Sequence, residues 1–295
     1  MAIAKRTYAE NLELVTRKKV EAAALLKKEA AKKKRDAKKA AAAKDAKQQL
    51  PLWPEAVRAV PNAVLRGALF SVATEREAYT TRTLIATVEG IEIRFQGTRP
   101  NQTDLDVWEM LLHLARLQPL SSEVQFTAHA MLKALGRGTS GKHHEELKQQ
   151  ITNLAAGLAE ITWTKERKTF GGTLISNYFR DEDTGLYVIK FNSGFGKLYS
   201  NGHTSIDWDQ RKSLGRNNIA KWLHGFYSSH EQPYPYKVET LQRLCGSTSP
   251  RREFRRLLRV ALGLLIDLGT ITSWDIDSKT DLVNVTKQTV KRLKK

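Results

Sequence analysis

Apolar side chains follow helical spacing in some parts of this chain and alternate in others, which predicts an ordered series of helices and strands. Between residues 104 and 192 the series starts with an amphipathic helix around Trp108 and Leu112. The elements predicted after it are a strand at Glu123–Thr127, a helix at His129–Leu135, a longer helix at Lys142–Ala159, and strands at Ile161–Arg167, Thr173–Phe179 and Tyr187–Asn192.

The segment from residue 217 to the C-terminus repeats this order. A first helix carries Ile219 and Leu223, and an extended stretch around Pro235 follows it. The elements predicted next are a short helix at Glu239–Cys245, a long helix at Arg251–Leu268 preceded by Ser249 and Pro250, and strands at Thr270–Ile276 and Asp281–Val285. Proline is favoured at the start of a helix and glycine after its end, and Gly269 occupies that second position.

Helix, short strand, helix, turn, longer helix and β-hairpin is the order of a winged helix, a helix-turn-helix variant whose third helix enters the major groove of DNA. Because the order occurs twice, the sequence predicts an α+β fold with tandem winged-helix domains and a basic N-terminal extension. The predicted segments are a flexible or frayed tail at 1–48, a linker at 49–62, a first winged-helix domain at 63–212 that includes an added hairpin before residue 100, and a second at 213–295.

Charge narrows the class of partner. The formal net charge of the 295 residues is +18, which indicates a polyanion such as nucleic acid. Residues 1–48 hold half of that excess, so the folded part is basic as well. No apolar run approaches the ~20 residues of a membrane span. Cys245 is the one cysteine, which excludes an intrachain disulfide and makes a reducing cytoplasm the expected setting.

The long helix after Pro250 gives the sharpest prediction of a DNA-binding surface. Phe254, Leu258 and Leu265 form an apolar face, and Glu253 is the one acid among the arginines that cover the other side. A guanidinium group can bond guanine or phosphate through two N–H groups at once. The residues predicted here to contact DNA are Ser249, Arg251, Arg252, Arg255, Arg256 and Arg259. The alternative is that these arginines form an ordinary solvated helix face, as most surface charges do.

The helix after the RGTSG turn is the corresponding element of the first domain. Glu145 and Glu146 dilute its positive charge. The free N–H groups at a helix start favour phosphate there. The predicted hairpins of the two domains, at 161–179 and 270–285, are expected to touch flanking phosphates. The residues predicted to contact DNA in this domain are Arg137, Ser140, Lys142, His144 and Lys148, with Lys165 and Arg167 in the hairpin. The alternative is an ordinary amphipathic helix.

Enzyme functions find weaker support. Gly136–Lys142 matches GxxxxGK, but a P-loop needs Ser or Thr next, where this chain has His143, and it must follow a buried strand. His143 and His144 are adjacent, so on a helix they point about 100° apart and would not easily share a metal ion. The sequence therefore predicts a DNA-binding protein that is not an enzyme and needs no cofactor or metal, with a P-loop ATPase as the least favoured alternative.

A short peptide of a different kind precedes the first domain. Gln49, Leu50, Leu52 and Trp53 combine an amide, two leucines and an aromatic ring in a predicted linker. Such a segment can fill a partner's pocket while the linker stays flexible. The alternative is that Leu52 and Trp53 dock on the first domain.

Two stretches carry a resemblance to a known family. WPEAVRAVPNAVLRGALF at 53–70 and YSSHEQPYPYKVETLQRLCGSTS at 227–249 closely resemble TrfA-type plasmid replication initiators. The likeness covers roughly Gln49 to the C-terminal region and leaves the basic tail outside. It implies two winged-helix domains that bind repeated sites (iterons) in a plasmid origin, followed by opening of an AT-rich region.

The resemblance also implies partners. These are double-stranded and single-stranded origin DNA, a sliding clamp, a replicative helicase, a host initiator, and a second copy of the chain in an inactive dimer. Gln49–Trp53 aligns with the family's clamp-binding peptide, with Pro51 and Trp53 in place of a polar residue and a Phe. A transcriptional or partition regulator with the same fold is the alternative function.

Overall fold

The computed structural model describes residues 27–36, 50–119 and 122–287. The chain divides into two compact units, residues 1–47 and 48–295. In the first unit, residues 27–36 form helix α1, whose side chains are all exposed. The rest of the predicted tail and Gln49 lie outside the described residues. Within the described part, no helix is both long and apolar enough to cross a membrane.

The second unit mixes helices with short antiparallel strands. Its helices are α2 (Asn62–Leu65), α3 (Gln102–Ala115), α4 (Ala128–Ala134), α5 (Gly141–Ala156), α6 (Gly196–Ser200), α7 (Trp208–Ser213), α8 (Asn218–Ser228), α9 (Val238–Leu244) and α10 (Arg251–Asp267). Its strands are β1 (Val57–Pro61), β2 (Ala78–Ile85), β3 (Ile91–Thr98), β4 (Val124–Thr127), β5 (Leu158–Trp163), β6 (Lys168–Thr173), β7 (Asn177–Arg180), β8 (Leu186–Lys190), β9 (His203–Asp207), β10 (Tyr236–Lys237), β11 (Ser273–Ile276) and β12 (Leu282–Thr286).

The first module comprises α3, β4, α4, α5, β7 and β8. Asn101 caps α3 by accepting the N–H groups of Thr103 and Asp104, and the Asp104 carboxylate accepts the Asn101 N–H in return, which fixes where the helix begins. Strand β8 lies between β4 and β7 in a three-stranded antiparallel sheet. The turn between α4 and α5 contains Gly136, whose φ of 68° lies in the left-handed region that favours glycine.

The second module comprises α8, β10, α9, α10, β11 and β12, in the order predicted from the sequence. Its three-stranded sheet has the same arrangement as the first, because β12 lies between β10 and β11. Helix α10 begins directly after Pro250, and Gly269 follows its end with a φ of 70°. The two modules therefore share one order of elements and one strand arrangement.

The hairpin of the first module differs from the prediction. The sequence predicts three strands between residues 161 and 192, with the DNA-facing hairpin at 161–179, but the structure has four. Strands β5 and β6 join β2 and β3 in a separate four-stranded sheet, and β7–β8 is the hairpin that pairs with β4. The chain leaves α5 for β5 at Gly157, where a Cβ atom would lie 2.4 Å from the Phe95 ring of β3, and it changes sheets between β6 and β7.

The predicted linker is also wrong. Strand β1 lies within residues 49–62 and pairs antiparallel with β9, from Val57 opposite Asp207 to Pro61 opposite His203. The four residues from Arg58 to Pro61 are buried, so this segment belongs to the core. The sequence missed the strand because prolines flank it, and its partner strand is more than 140 residues away along the chain.

Buried apolar side chains form two clusters that meet at charged groups. One cluster runs from Leu50 to Trp208, and the other contains Val72 and residues from Leu214 to Val283. At the junction, Asp106 of α3 accepts hydrogen bonds from Arg211 Nε at 2.8 Å and from Lys221 Nζ at 2.6 Å. Arg211 is 1% exposed, so this ion cluster ties the two modules together inside the protein.

Candidate nucleic-acid interface

Helix α10 separates an apolar face from a face of arginines, as predicted. Phe254, Leu258, Ala261 and Leu265 repeat every three or four residues and are fully buried in the second cluster. Leu262 is buried beside them, and since 3.6 residues complete a turn, the arginines lie on the other side of the helix. Arg255 is half-buried, and the exposed arginines of this helix are Arg251, Arg252, Arg256 and Arg259.

Three of these five arginines form ion pairs. Arg251 reaches Glu239 of α9 at 2.9 Å, Arg256 pairs with Glu253 at 2.7 Å, and Arg255 pairs with Asp281. The sequence pattern shows only Glu253, because Glu239 and Asp281 approach from other elements of the module. The charge of the helix is therefore partly neutralised by the protein itself.

Arg252 and Arg259 differ from the other three. Neither has a hydrogen-bond or ion-pair partner among the residues that the structure describes, and both are exposed. They lie seven residues apart, about two turns, so they extend from one side of the helix. A ligand would not have to displace a protein carboxylate to reach them.

Ser249 has a structural role in the turn before α10. Its backbone carbonyl accepts a hydrogen bond from Gln242 Nε2 at 2.6 Å, and its backbone N–H points to Ser247 Oγ at 3.4 Å. Its side chain makes no capping hydrogen bond, because Pro250 occupies the capping position. Ser249 thus fixes the approach to the helix, and its side chain is half-buried.

Helix α5 presents a weaker positive surface. Lys142 is exposed, His144 is half-buried, and Ser140 Oγ lies 2.8 Å from His143 Nδ1. Lys148 Nζ is 3.9 Å from Glu182, which projects from the turn between β7 and β8. Lys142 is therefore the predicted base of this helix that faces solvent without an acidic partner in the described part of the chain.

Tyr178 belongs to the same surface and was missed by the sequence. Its hydroxyl lies 2.9 Å from Thr152 Oγ1 of α5, and 38% of the side chain is exposed. The alternation of strand β7 could have indicated it, but the sequence places the strand in the wrong hairpin. Tyr178 extends the polar face of α5 onto the β7–β8 hairpin.

Arg137 is not a free phosphate contact, contrary to the prediction. Its guanidinium donates to Gln150 Oε1 at 2.8 Å and to the Thr103 carbonyl oxygen at 3.0 Å, and it lies 3.6 Å from Asp106. The turn directs the side chain inward because the start of α3 offers a carbonyl oxygen and a carboxylate there. Arg137 holds the turn against α3.

Lys165 and Arg167 occupy a different place from the one predicted. Both are exposed in the turn between β5 and β6, where Arg167 has a φ of 53°. This turn belongs to the four-stranded sheet, so it is not the hairpin that accompanies α5. Their assignment to the DNA-facing hairpin is therefore wrong, although their charges remain exposed.

The peptide before β1 is docked rather than free. Leu50 and Trp53 are 2% and 7% exposed, whereas Leu52 is 72% exposed. The Trp53 indole donates to His113 Nδ1 at 3.0 Å and stacks on Tyr199, and its carbonyl accepts from Arg116 Nε at 3.1 Å. The prediction of an exposed ligand is wrong for Leu50 and Trp53, and the docking alternative is right for Trp53 but not for Leu52.

The GxxxxGK-like stretch does not have the surroundings of a P-loop. It follows helix α4, whereas a P-loop follows a buried strand. Among the described ranges 27–36, 50–119 and 122–287, no group of three or more His, Cys, Asp or Glu side chains could hold a metal ion.

Two cavities lie at the turns that precede the long helices. A cavity of about 300 Å³ borders Gly136–Gly138 and His143 at the start of α5. A second, of about 460 Å³, borders Ser247–Ser249 before α10. Arg216, in the segment that connects the modules, lines both.

The junction between the modules shifts the pKa of several titratable groups, among them Glu109 and His224. Burial raises the pKa of Glu109 to about 7, although the nearby Arg211 opposes this effect. The Arg211 Nε lies 3.1 Å from Glu109 but directs its hydrogen to Asp106, so neither Glu109 oxygen has a hydrogen-bond partner in the described structure. Burial also lowers the pKa of His224 to about 4.

Comparison with known proteins gives a family match and a curated relative. The family model described as TrfA protein matches residues 18–284. The plasmid replication initiator protein TrfA of Escherichia coli is 26% identical over 207 residues, which cover 68% of this chain and 54% of that protein. This chain thus spans about half the length of that relative.

Solved structures show a weaker likeness. Two crystal structures of domains 2 and 3 of RctB are 12% identical to this chain, each with a TM-score of 0.47. The matches cover 70% and 77% of this chain and 85% and 97% of the two RctB chains, respectively.

Proposed function

We propose that this chain, which belongs to the TrfA protein family, is a plasmid replication initiator that binds repeated sequences in the plasmid origin. The family match agrees with the resemblance seen in the motifs at 53–70 and 227–249. The observation that carries the proposal is the second module, where α10 follows a turn and exposes Arg252 and Arg259 without acidic partners in the described structure.

Both modules are interpreted as winged helices. Each has a helix, a strand, two helices joined by a turn, and a hairpin whose last strand is central in the sheet. In such domains the third helix enters the major groove, which assigns α5 and α10 to successive grooves of one duplex. The hairpins β7–β8 and β11–β12 then lie beside the flanking backbone, in place of the predicted hairpin 161–179.

Binding is tested by titrating the full chain onto a duplex with the origin repeats and onto a scrambled duplex, at several salt concentrations. Replacing Arg252 and Arg259 with Ala should weaken specific binding by about 1–3 kcal/mol for each lost base contact. The control for loss of two positive charges is R82A with R94A, two arginines of the four-stranded sheet that pair with Glu160 and Glu92 and whose side chains are 58% and 42% exposed. Unchanged affinity and salt dependence in the α10 variant would refute the assignment.

Initiation is separated from regulation by a replication assay. A mini-plasmid that carries the origin should replicate when the wild-type chain is supplied and fail with the α10 double variant. A transcriptional or partition regulator would bind its site and block a promoter without supporting replication. The first outcome supports an initiator, and the second supports the alternative.

The partners and the non-enzymatic nature of the chain are further parts of the proposal. Opening of the origin, recruitment of a sliding clamp, helicase and host initiator in the cytoplasm, and an inactive homodimer follow from the family resemblance. Clamp binding through Gln49–Trp53 would require Leu50 and Trp53 to leave the core.

If the protein acts by binding alone and is not an enzyme, the purified chain should hydrolyse no ATP above background. ATP hydrolysis that Lys142→Ala abolishes would contradict this part of the proposal.

A further inference from the structure

Arg216 lies between the two candidate DNA-binding helices. It lines the cavity beside the start of α5 and also the cavity beside the turn before α10. Its side chain is exposed, and no hydrogen bond or ion pair involves it among the residues that the structure describes. Arg216, whose side chain has no partner in the described structure, therefore borders both the start of α5 and the turn before α10.

The backbone around Arg216 is fixed. Gly215 has a φ of 57° and donates its N–H to the Lys212 carbonyl oxygen at 3.0 Å, and the Asn217 N–H donates to the Leu214 carbonyl oxygen at 3.0 Å. The Leu214 side chain is buried, and Asn217 caps α8 by accepting the Ala220 N–H. Because the backbone of this turn is already ordered, binding has to order only the Arg216 side chain.

The cavity beside α5 favours an anion, whereas the cavity before α10 has one acid, Glu75, besides Arg216. The charged residues that line the cavity beside α5 are five bases and two acids: Arg137, Arg211, Lys212, Arg216 and Lys221 against Asp106 and Glu146. Asp106 is already held by Arg211 and Lys221. Lys212, on the same connecting segment, pairs with Asp209 at 2.8 Å, so Arg216 is the base of this segment that is open to a ligand.

We propose that Arg216 binds a backbone phosphate of the duplex in the stretch between the two segments that α5 and α10 occupy. The inference rests on the proposed DNA-binding function. Two helices in successive major grooves leave an intervening stretch of sugar–phosphate backbone, and a planar guanidinium can bond two phosphate oxygens at once. The contact positions both modules on one duplex and carries no base preference.

The first experiment measures affinity and salt dependence on the origin-repeat duplex. Arg216→Ala should weaken binding about tenfold, in the range of a charged hydrogen bond, and should reduce the slope of log K against log salt by about 0.9, the value for one phosphate. Arg216→Lys should keep the slope and lose part of the affinity. The preference for the origin repeat over a scrambled duplex should stay the same.

The control variant is Lys197→Ala, which removes one exposed positive charge from α6, a helix that lines neither cavity. An equal change of slope in both variants would overturn the proposal, because it would show an effect of net charge alone. Thermal melts should show Arg216→Ala folded like the wild type, since the side chain is exposed.

The second experiment locates the phosphate. Duplexes with single neutral methylphosphonates are titrated with the wild type and with Arg216→Ala. One or two positions between the helix-bound segments should weaken the wild type about tenfold and leave the variant unaffected. Identical maps for the two proteins would overturn the proposal. A wild type without any sequence preference would instead refute the proposed function, so the two failures are distinguishable.

Discussion

The two modules share one order of elements but differ in what surrounds them. The first is enclosed by β1, β9 and the four-stranded sheet, and its core cluster extends back to Leu50. The second packs instead on the segment around residues 67–72, because its core cluster includes Val72 and the Trp222 indole donates to the Gly67 carbonyl oxygen at 3.2 Å. The enclosed first module can act as the scaffold. The long helices α5 and α10 each have five buried residues, so the modules differ in the chemistry of the outward face and not in how much of the helix is exposed.

The same difference appears in the basic residues. In the first module Arg137 is held against α3, while in the second Arg252 and Arg259 are free of acidic partners in the described structure. Yet both modules direct an acid from the hairpin turn to the long helix, Glu182 towards Lys148 and Asp281 towards Arg255. A count of basic side chains in sequence therefore overestimates the charge available to DNA.

The largest expected effect concerns the enclosure of the first module. Replacing Trp53 with Ala should lower the free energy of unfolding by about 3–5 kcal/mol, because it removes a buried ring that stacks on Tyr199 and hydrogen-bonds His113. The measurement is urea unfolding of the full chain followed by circular dichroism.

The control for this effect is Leu52→Ala in the same peptide. Because Leu52 is 72% exposed, the change should stay within about 0.5 kcal/mol. Equal stabilities of the two variants and the wild type would show that the peptide is a free ligand and that the first module does not depend on it.

Sequence reasoning succeeded where the evidence was local. The periodicity of Phe254, Leu258 and Leu265, with Pro250 and Gly269 at the ends, contains all that is needed to place α10 and its outward face. Helix α5 and the order of the second module follow from similar local patterns. These elements account for the mixed α and β content of the fold and for the main part of the candidate interface.

Sequence reasoning failed where segments that are far apart along the chain determine the structure. Strand β1 pairs with a strand more than 140 residues away, and β5 pairs with the distant β3 as well as with β6, which places β5 and β6 in a sheet that no local pattern predicts. The ion pairs of Arg251 and Arg255 depend on Glu239 and Asp281, which only the folded module brings close. No pattern along the chain indicates that Arg216 lies between two cavities.

The second prediction concerns the junction of the modules. Glu109 has a pKa raised to about 7 by burial, so the folded protein holds a proton that the unfolded chain releases near pH 4.5. This contribution to stability is complete below pH 4.5 and is lost as pH rises through 7. Across that range it amounts to on the order of 3 kcal/mol.

Glu109→Gln removes this titration. The variant should match the wild type near pH 4.5 and become more stable than the wild type by pH 8, as measured by urea unfolding at each pH. His224, whose pKa is lowered to about 4, has the opposite dependence and is present in both proteins, so the difference between them isolates Glu109. Parallel stability curves from pH 4.5 to 8 would contradict the prediction.

The smallest expected effect tests whether the hairpin turn restrains α10. Asp281→Asn removes the ion pair with Arg255, and the backbone should tolerate it because Asp281 has a φ of 59°, a region that Asn adopts readily. Stability should change by about 1 kcal/mol or less. The released Arg255 should increase the slope of log K for DNA binding against log salt by about 0.9 if it reaches a phosphate.

Asp277→Asn is the matched control, because it removes the same charge from an Asp that, among the described residues, accepts hydrogen bonds only within its own turn, from Lys279 and Thr280. If both variants bind DNA alike, Arg255 is a structural residue, and the interface of α10 is limited to the arginines without acidic partners.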